Sequence, residues 1–191
     1  YFNKMDREPS GAVSVLSFTH LGYPMDLKST PTYWSAKSLA DSKLLHRLYV
    51  LDIEDTMDID RSLVSAPVPG RKFIPRICYL LEDYISFSGR DVSFDLLDIA
   101  TRHRVGTEDT LHSLPQFYRS LERARAEDVT TAVYAPAPHP DSVAELWDAE
   151  KTTYGVKEPP ATSSRVRRGY EHADYILYLS EFAGESFERA G

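Results

Sequence analysis

The chain has 191 residues, 42% of them hydrophobic and 12% aromatic, with a formal net charge of −7. Length and composition suit one globular domain with a sizeable core. The acidic balance argues against nucleic-acid binding, which needs a basic face to meet phosphate. No apolar run approaches the ~18 residues of a membrane span. Cys78 is the single cysteine, so no internal disulfide and no paired-cysteine metal site is expected. No signal-peptide pattern opens the chain, and the cytoplasm is the expected compartment. The start at Tyr1 and the helix stop at Gly191 read as a chain cut at both ends.

In chain order, Ala12 to Thr19 reads as a first strand. The loop His20 to Thr32 leads to a helix from about Tyr33 to Leu45, which puts Ala36, Leu39, Ala40 and Leu44 on one face. Arg47 to Ile53 is a second strand, which completes a βαβ unit. Glu54 to Gly70, acidic and then proline-rich, reads as a long excursion. Helices are expected from Phe73 to Ile85 and from Asp91 to Val105, the latter with Phe94, Leu97 and Ala100 inward and Asp95 and Asp98 toward solvent or its edge. Thr110 to Leu114 is a short third strand. Pro115 opens the next helix, because its fixed φ and missing N–H cost nothing in a first turn, with Phe117, Leu121 and Ala124 inward and Arg119 outward.

Val129 to Ala135 is a strand of β-branched type. A helix from Asp141 to Tyr154 follows, with Val143, Leu146, Trp147 and Tyr154 inward. Lys157 to Ser163 reads as a linker and Ser164 to Ala173 as a helix. Tyr175 to Leu179 is an unbroken apolar run, which reads as a strand covered on both faces. Ser180 then caps a helix carrying Ala183, Phe187 and Ala190, which Gly191 stops. Strands alternating with helices predict an α/β fold: a doubly wound, mainly parallel sheet with helices on both faces. Such sheets bind ligands at the carboxyl ends of their strands, where the loops after Thr19, Leu114 and Ala135 gather.

Those loops carry the candidate chemistry. His139 precedes Pro140 at a helix start, where the partial positive charge disfavours imidazolium and predicts a neutral ring. From the residues alone it reads first as a helix cap in a surface loop. His20, Gly22 and Tyr23 follow the first strand, Thr32 and Trp34 open the next helix, and His112 and Ser113 end the third strand. Arg165, Arg167 and Arg168 form a basic cluster that could meet phosphate or anionic lipid but reads first as a solvated helix face. Phosphate-loop, nucleophile-elbow, zinc-protease and dinucleotide motifs are absent.

Two stretches resemble group 1 (family 4) glycosyltransferases, which have the two-domain GT-B fold. One is Ala173-Asp-Tyr-Ile-Leu-Tyr-Leu-Ser-Glu-Phe-Ala-Gly-Glu-Ser-Phe-Glu-Arg-Ala-Gly191, similar to the end of that family's first domain. The other is the segment from His139-Pro140 through Glu150 to Gly155, similar to "H-P-x(9)-E-x-x-x-x-G". Thr30 to Ala40 also resembles a family helix start, "T-x-x-x-x-x-x-L-A", and residues 54–105 carry no resemblance. The resemblance implies that 1–191 is a single N-terminal, acceptor-side Rossmann-like domain. It would belong to a retaining enzyme that moves a sugar from a nucleotide-sugar donor to a hydroxyl acceptor, lipid-linked or a saccharide.

The resemblance gives His139 the catalytic position beside the transferred sugar. It makes His20, Gly22, Tyr23, Thr32, Trp34, His112 and Ser113 substrate-binding candidates, with Trp34 as a stacking surface; Gly22 stands where the family usually has a fuller glycine loop. It implies no metal and no other cofactor, since Asp58-Ile-Asp60 fits a D-x-D only by letter. Peripheral membrane association is compatible with it; nucleic acid is not an expected partner. The donor-binding domain lies outside these residues, so the chain alone is expected not to catalyse transfer. An apolar patch is expected where that domain would pack. The reading from another class is a non-catalytic Rossmann-like binding or interaction module. A different doubly wound enzyme, with its site after Thr19 and Leu114, is a third.

Overall fold

The computed structural model describes residues 11–16, 30–51, 58–68, 89–154 and 164–191. His20, Gly22, Tyr23 and the helix expected from Phe73 to Ile85 lie outside the described residues. The elements are β1 (Val13–Leu16), α1 (Pro31–Asp41), β2 (Leu45–Tyr49), a 3-10 turn (Arg61–Leu63), β3 (Val64–Ser65), α2 (Gly89–Thr101), β4 (Thr110–Ser113), α3 (Tyr118–Ala126), β5 (Thr130–Ala135), α4 (Pro140–Tyr154), α5 (Ser164–Glu171), β6 (Tyr175–Tyr178) and α6 (Glu181–Ala190). The strands form one all-parallel sheet in the order β3-β2-β1-β4-β5-β6. This is the Rossmann-like α/β arrangement expected from the alternation of elements. The chain winds outward from β1 in one direction and from β4 in the other, so the order reverses between these two neighbours. In such sheets the crevice beyond the reversal is where ligands bind.

Each face of the sheet has its own core. On one face Leu16, Leu111 and Val133 pack with Phe94 and Leu97 of α2 and Phe117, Leu121 and Ala124 around α3. On the other, Val15, Leu45 and Leu48 pack with Tyr33 and Ala36 of α1. Each fully buried leucine contributes roughly 2 kcal/mol by leaving water. Among the described residues no helix is long and apolar enough to cross a membrane.

Several boundaries differ from expectation for identifiable reasons. Helix α1 begins earlier, with Thr30 as N-cap accepting from the Tyr33 amide at 3.3 Å and Pro31 in the first turn. It ends at Asp41 rather than Leu45. Lys43, at φ 59°, takes the left-handed position usually given to glycine. The Lys43 amide bonds to Ala40 O and the Leu44 amide to Leu39 O, the paired bonds of a Schellman stop. Leu44 is therefore exposed and Leu45 becomes the first buried residue of β2, which is accordingly earlier than the expected Arg47 to Ile53. Within the excursion, Val64 and Ser65 pair with Leu48 and Tyr49, adding an edge strand too short to show a period.

Helix α3 does not start at Pro115 but at Tyr118, because its cap comes from another helix. Asp98 of α2, fully buried rather than turned to solvent, accepts from the Arg119 amide (3.0 Å), the Ser120 amide (2.8 Å) and the Ser120 hydroxyl (2.7 Å). Those bonds satisfy donors that every helix start leaves open. Arg119 likewise turns inward to pair with Asp95, which also binds Arg165. Pro115 stays in the preceding turn, where its carbonyl oxygen lies where a side chain at Gly169 would begin: a Cβ there would sit 1.9 Å away. Glycine is what lets α5 approach this turn.

The largest correction concerns β6. It is not covered on both faces: Tyr175 is 62% exposed, Leu179 72%, and Leu177 and Tyr178 are exposed as well. Its partner in the sheet is β5, and among the described residues nothing pairs with its outer edge. An unbroken apolar run signals burial on both faces only for a strand inside the sheet. Leu146 and Tyr154 of α4, expected inward, are also exposed, as is Ala190 of α6; no described element covers them.

Candidate functional site

Because all strands are parallel, the segments following them meet at one rim. His112 and Ser113 close β4, beside β1 at the reversal, with His112 opposite Val15. His112 is on the α1-side face; it is 7% exposed and its Nε2 has no partner among the described residues. Burial holds its pKa below the usual 6.5, so the ring is neutral near neutral pH. Ser113, fully buried, faces the other core and gives its hydroxyl proton to Leu114 O (3.0 Å). Thr32 and Trp34 sit in the first turn of α1, which starts at the same rim. Thr32 is buried next to the Thr30 cap, while Trp34 is 56% exposed with its ring edge-on to Tyr33.

His139 lies in the loop after β5 and is held from three sides. Its amide donates to Ser186 Oγ of α6 at 2.8 Å, and that hydroxyl donates to Ala183 O. Its Nδ1 accepts from the Asp141 amide at 3.3 Å, which caps α4. The ring stands edge-on to Phe187 (centroids 5.3 Å apart) and near Tyr170 (6.3 Å), themselves edge-on to each other. Burial lowers the His139 pKa, the Asp141 carboxylate opposes this, and Arg167 adds to it. The neutral ring expected from the helix start is therefore present, with burial as its main cause. Burial also pushes the Tyr170 hydroxyl up to about 12, so it stays protonated.

A hollow of about 320 Å³ opens beside these groups, lined by His139, Asp141, Arg167, Tyr170 and Phe187 among others. Sequence reasoning passed over most of this surrounding set. Phe187 was visible only as one of three apolar residues at helical spacing and Arg167 only as part of a basic cluster. The cluster is divided: Arg165 is half-buried and pairs with Asp95, while Arg167 and Arg168 are exposed as a solvated face would be, Arg167 pairing with Asp141 and Arg168 lying 4.3 Å over the Tyr118 ring. The cations are engaged within the chain.

The structure thus puts His112 and Ser113 at the reversal with their side chains on opposite faces of the sheet, and His139 in the loop after the next strand, against α5 and α6. His139's ring neighbours are Tyr170 and Phe187, not His112. Compared with protein-family models, curated proteins and solved structures, the chain matches none of them.

Proposed function

We propose that this chain is the acceptor-side, Rossmann-like half of a retaining glycosyltransferase of the GT-B type. In this reading a nucleotide-sugar donor is held mostly by a second domain outside these residues, and a hydroxyl acceptor, lipid-linked or a saccharide, approaches along the rim. The observation that carries the reading is the setting of His139: a neutral imidazole at the carboxyl end of β5, beside a hollow that also holds an arginine and an aromatic ring. Neutral hydrogen-bonding groups next to an aromatic face suit a polyhydroxylated ligand, whose hydroxyls need partners and whose C–H faces pack on rings. His112, at the reversal of strand order and with its Nε2 unpartnered among the described residues, supplies a second polar group, while Ser113 is buried in the opposite core. The apolar face of β6, with Phe182 of α6 also exposed, offers a packing surface for the second domain.

One observation favours the non-catalytic module instead: Nδ1 of His139 is occupied by the α4 cap, which is what a purely structural histidine does. Purified 191-residue chain, mixed with nucleotide sugars, is expected to release no nucleotide. Turnover of any nucleotide sugar by this chain alone would overturn the two-domain reading. Acceptor-dependent turnover by the full-length protein separates the transferase from the module.

A further inference from the structure

Two residues of α6 touch His139, Ser186 by a hydrogen bond to its amide and Phe187 by an edge-on ring contact, while α4 bonds its ring. The Asp141 amide can donate to Nδ1 only if Nδ1 carries no proton. In the neutral ring the proton is then on Nε2, which has no partner among the described residues. Ser186, fully buried, anchors the backbone of His139 through the 2.8 Å bond to its amide. Its own hydroxyl proton goes to Ala183 O, so the oxygen is left as the acceptor. Phe187 stands nearly perpendicular to the imidazole plane with its centroid 5.3 Å away, and so fills the space beside the ring.

We propose that Ser186 and Phe187 are positioning residues that lock His139 as its Nε2–H tautomer, so that the ring meets a ligand as a hydrogen-bond donor to oxygen and not as a base. This assignment rests on the proposed sugar-transfer reading only for the identity of the ligand. Proton abstraction by Nε2 would need the ring to change tautomer and give up the α4 cap, and α6 holds it against both. The charged and titratable groups around the ring are Asp141 of α4 and Arg167, Tyr170 and Glu171 of α5. Protonation of Nδ1 would exchange the capping bond for an ion pair with the Asp141 carboxylate, whose oxygen is already 3.6 Å away.

Two-bond proton–nitrogen NMR on the nitrogen-labelled 191-residue chain reads the tautomer directly, without substrate and before any mutation. The expected pattern for His139 is a lone-pair Nδ1 and a protonated Nε2. In Phe187→Ala the His139 titration should move up toward the ordinary value near 6.5, and in Ser186→Ala the two tautomers should mix. Ser186→Thr, which keeps the hydroxyl, should restore the wild-type pattern. A protonated Nδ1 in the wild-type chain overturns the proposal, and so does a tautomer and titration unchanged in both truncations. Since none of these readings involves turnover, the transferase assignment can fail while this one stands, and the reverse.

Discussion

Beneath β4 and β5 the sheet is sealed by α2 and α3, and Leu97, Leu111, Phe117 and Leu121 are completely buried. One strand further out, β6 is just as apolar, yet Tyr175, Leu177 and Leu179 face solvent. The two regions share a sequence signal and differ in position: among the described residues β4 has a strand on each side and β6 only on one. The sealed region is also stitched by charge, with Asp98 capping α3 and Asp95 joining Arg119 to Arg165. The open region has its polar bonds at its two ends: Asp174 on Thr131 at the start of β6, and Ser180 capping α6 at the other. Among the described residues, buried charge and packing thus seal the α2–α3 side, and nothing covers the β6 edge.

Substitutions can break this contrast. Leu111→Ala should cost about 3 kcal/mol in chemical denaturation, the sum of lost burial and an unfilled cavity. A loss below about 1 kcal/mol would mean the sealed side is loosely packed. Asp98→Ala should cost about 2 kcal/mol, because it leaves buried donors at the start of α3 unpartnered. Asp98→Asn, which keeps an acceptor, should recover part of that.

Acid should act on the other, α1-side core through His112. Its folded pKa lies below 6.5 because burial disfavours the charged ring. The unfolded chain therefore binds more protons between the two values, and stability falls as pH drops from about 6.5 toward the folded pKa. His112→Gln should flatten that part of the stability profile, leaving the contribution of His139, whose pKa is shifted the same way. A profile unchanged by the substitution would place the acid sensitivity elsewhere. The smallest effect belongs to the edge: Leu179→Ala should change stability by less than about 0.5 kcal/mol. A loss as large as that of Leu111→Ala would show that β6 is buried in solution.

Much of this architecture was legible in the residues. Alternating strand and helix patterns gave the parallel doubly wound sheet, and Ser180 and Pro140 marked helix starts that the fold keeps. What escaped depends on partners distant in sequence. The cap of α3 comes from Asp98 in another helix, so no local pattern around Pro115 could reveal it. Lys43 stops α1 in a left-handed conformation without the usual glycine. Val64 and Ser65 form a strand only because β2 lies beside them, and the apolar run of β6 carries no mark of its place at the edge. Of the candidate site, the neutral His139 at a helix start was readable from the adjacent proline. Its locking by Ser186 and Phe187 was not, because those residues lie in α6, beyond the next strand. His20, Gly22 and Tyr23 fall outside the described residues.

The central claim is that this rim serves sugar transfer through His139, and nucleotide release by the full-length protein tests it most directly. With nucleotide sugars and a panel of hydroxyl acceptors, release should depend on acceptor, proceed with retention at the transferred carbon, and fall at least about tenfold in His139→Ala, the loss of roughly 1.4 kcal/mol of transition-state stabilisation. Absence of release with every nucleotide sugar, or release undiminished by His139→Ala, would contradict it.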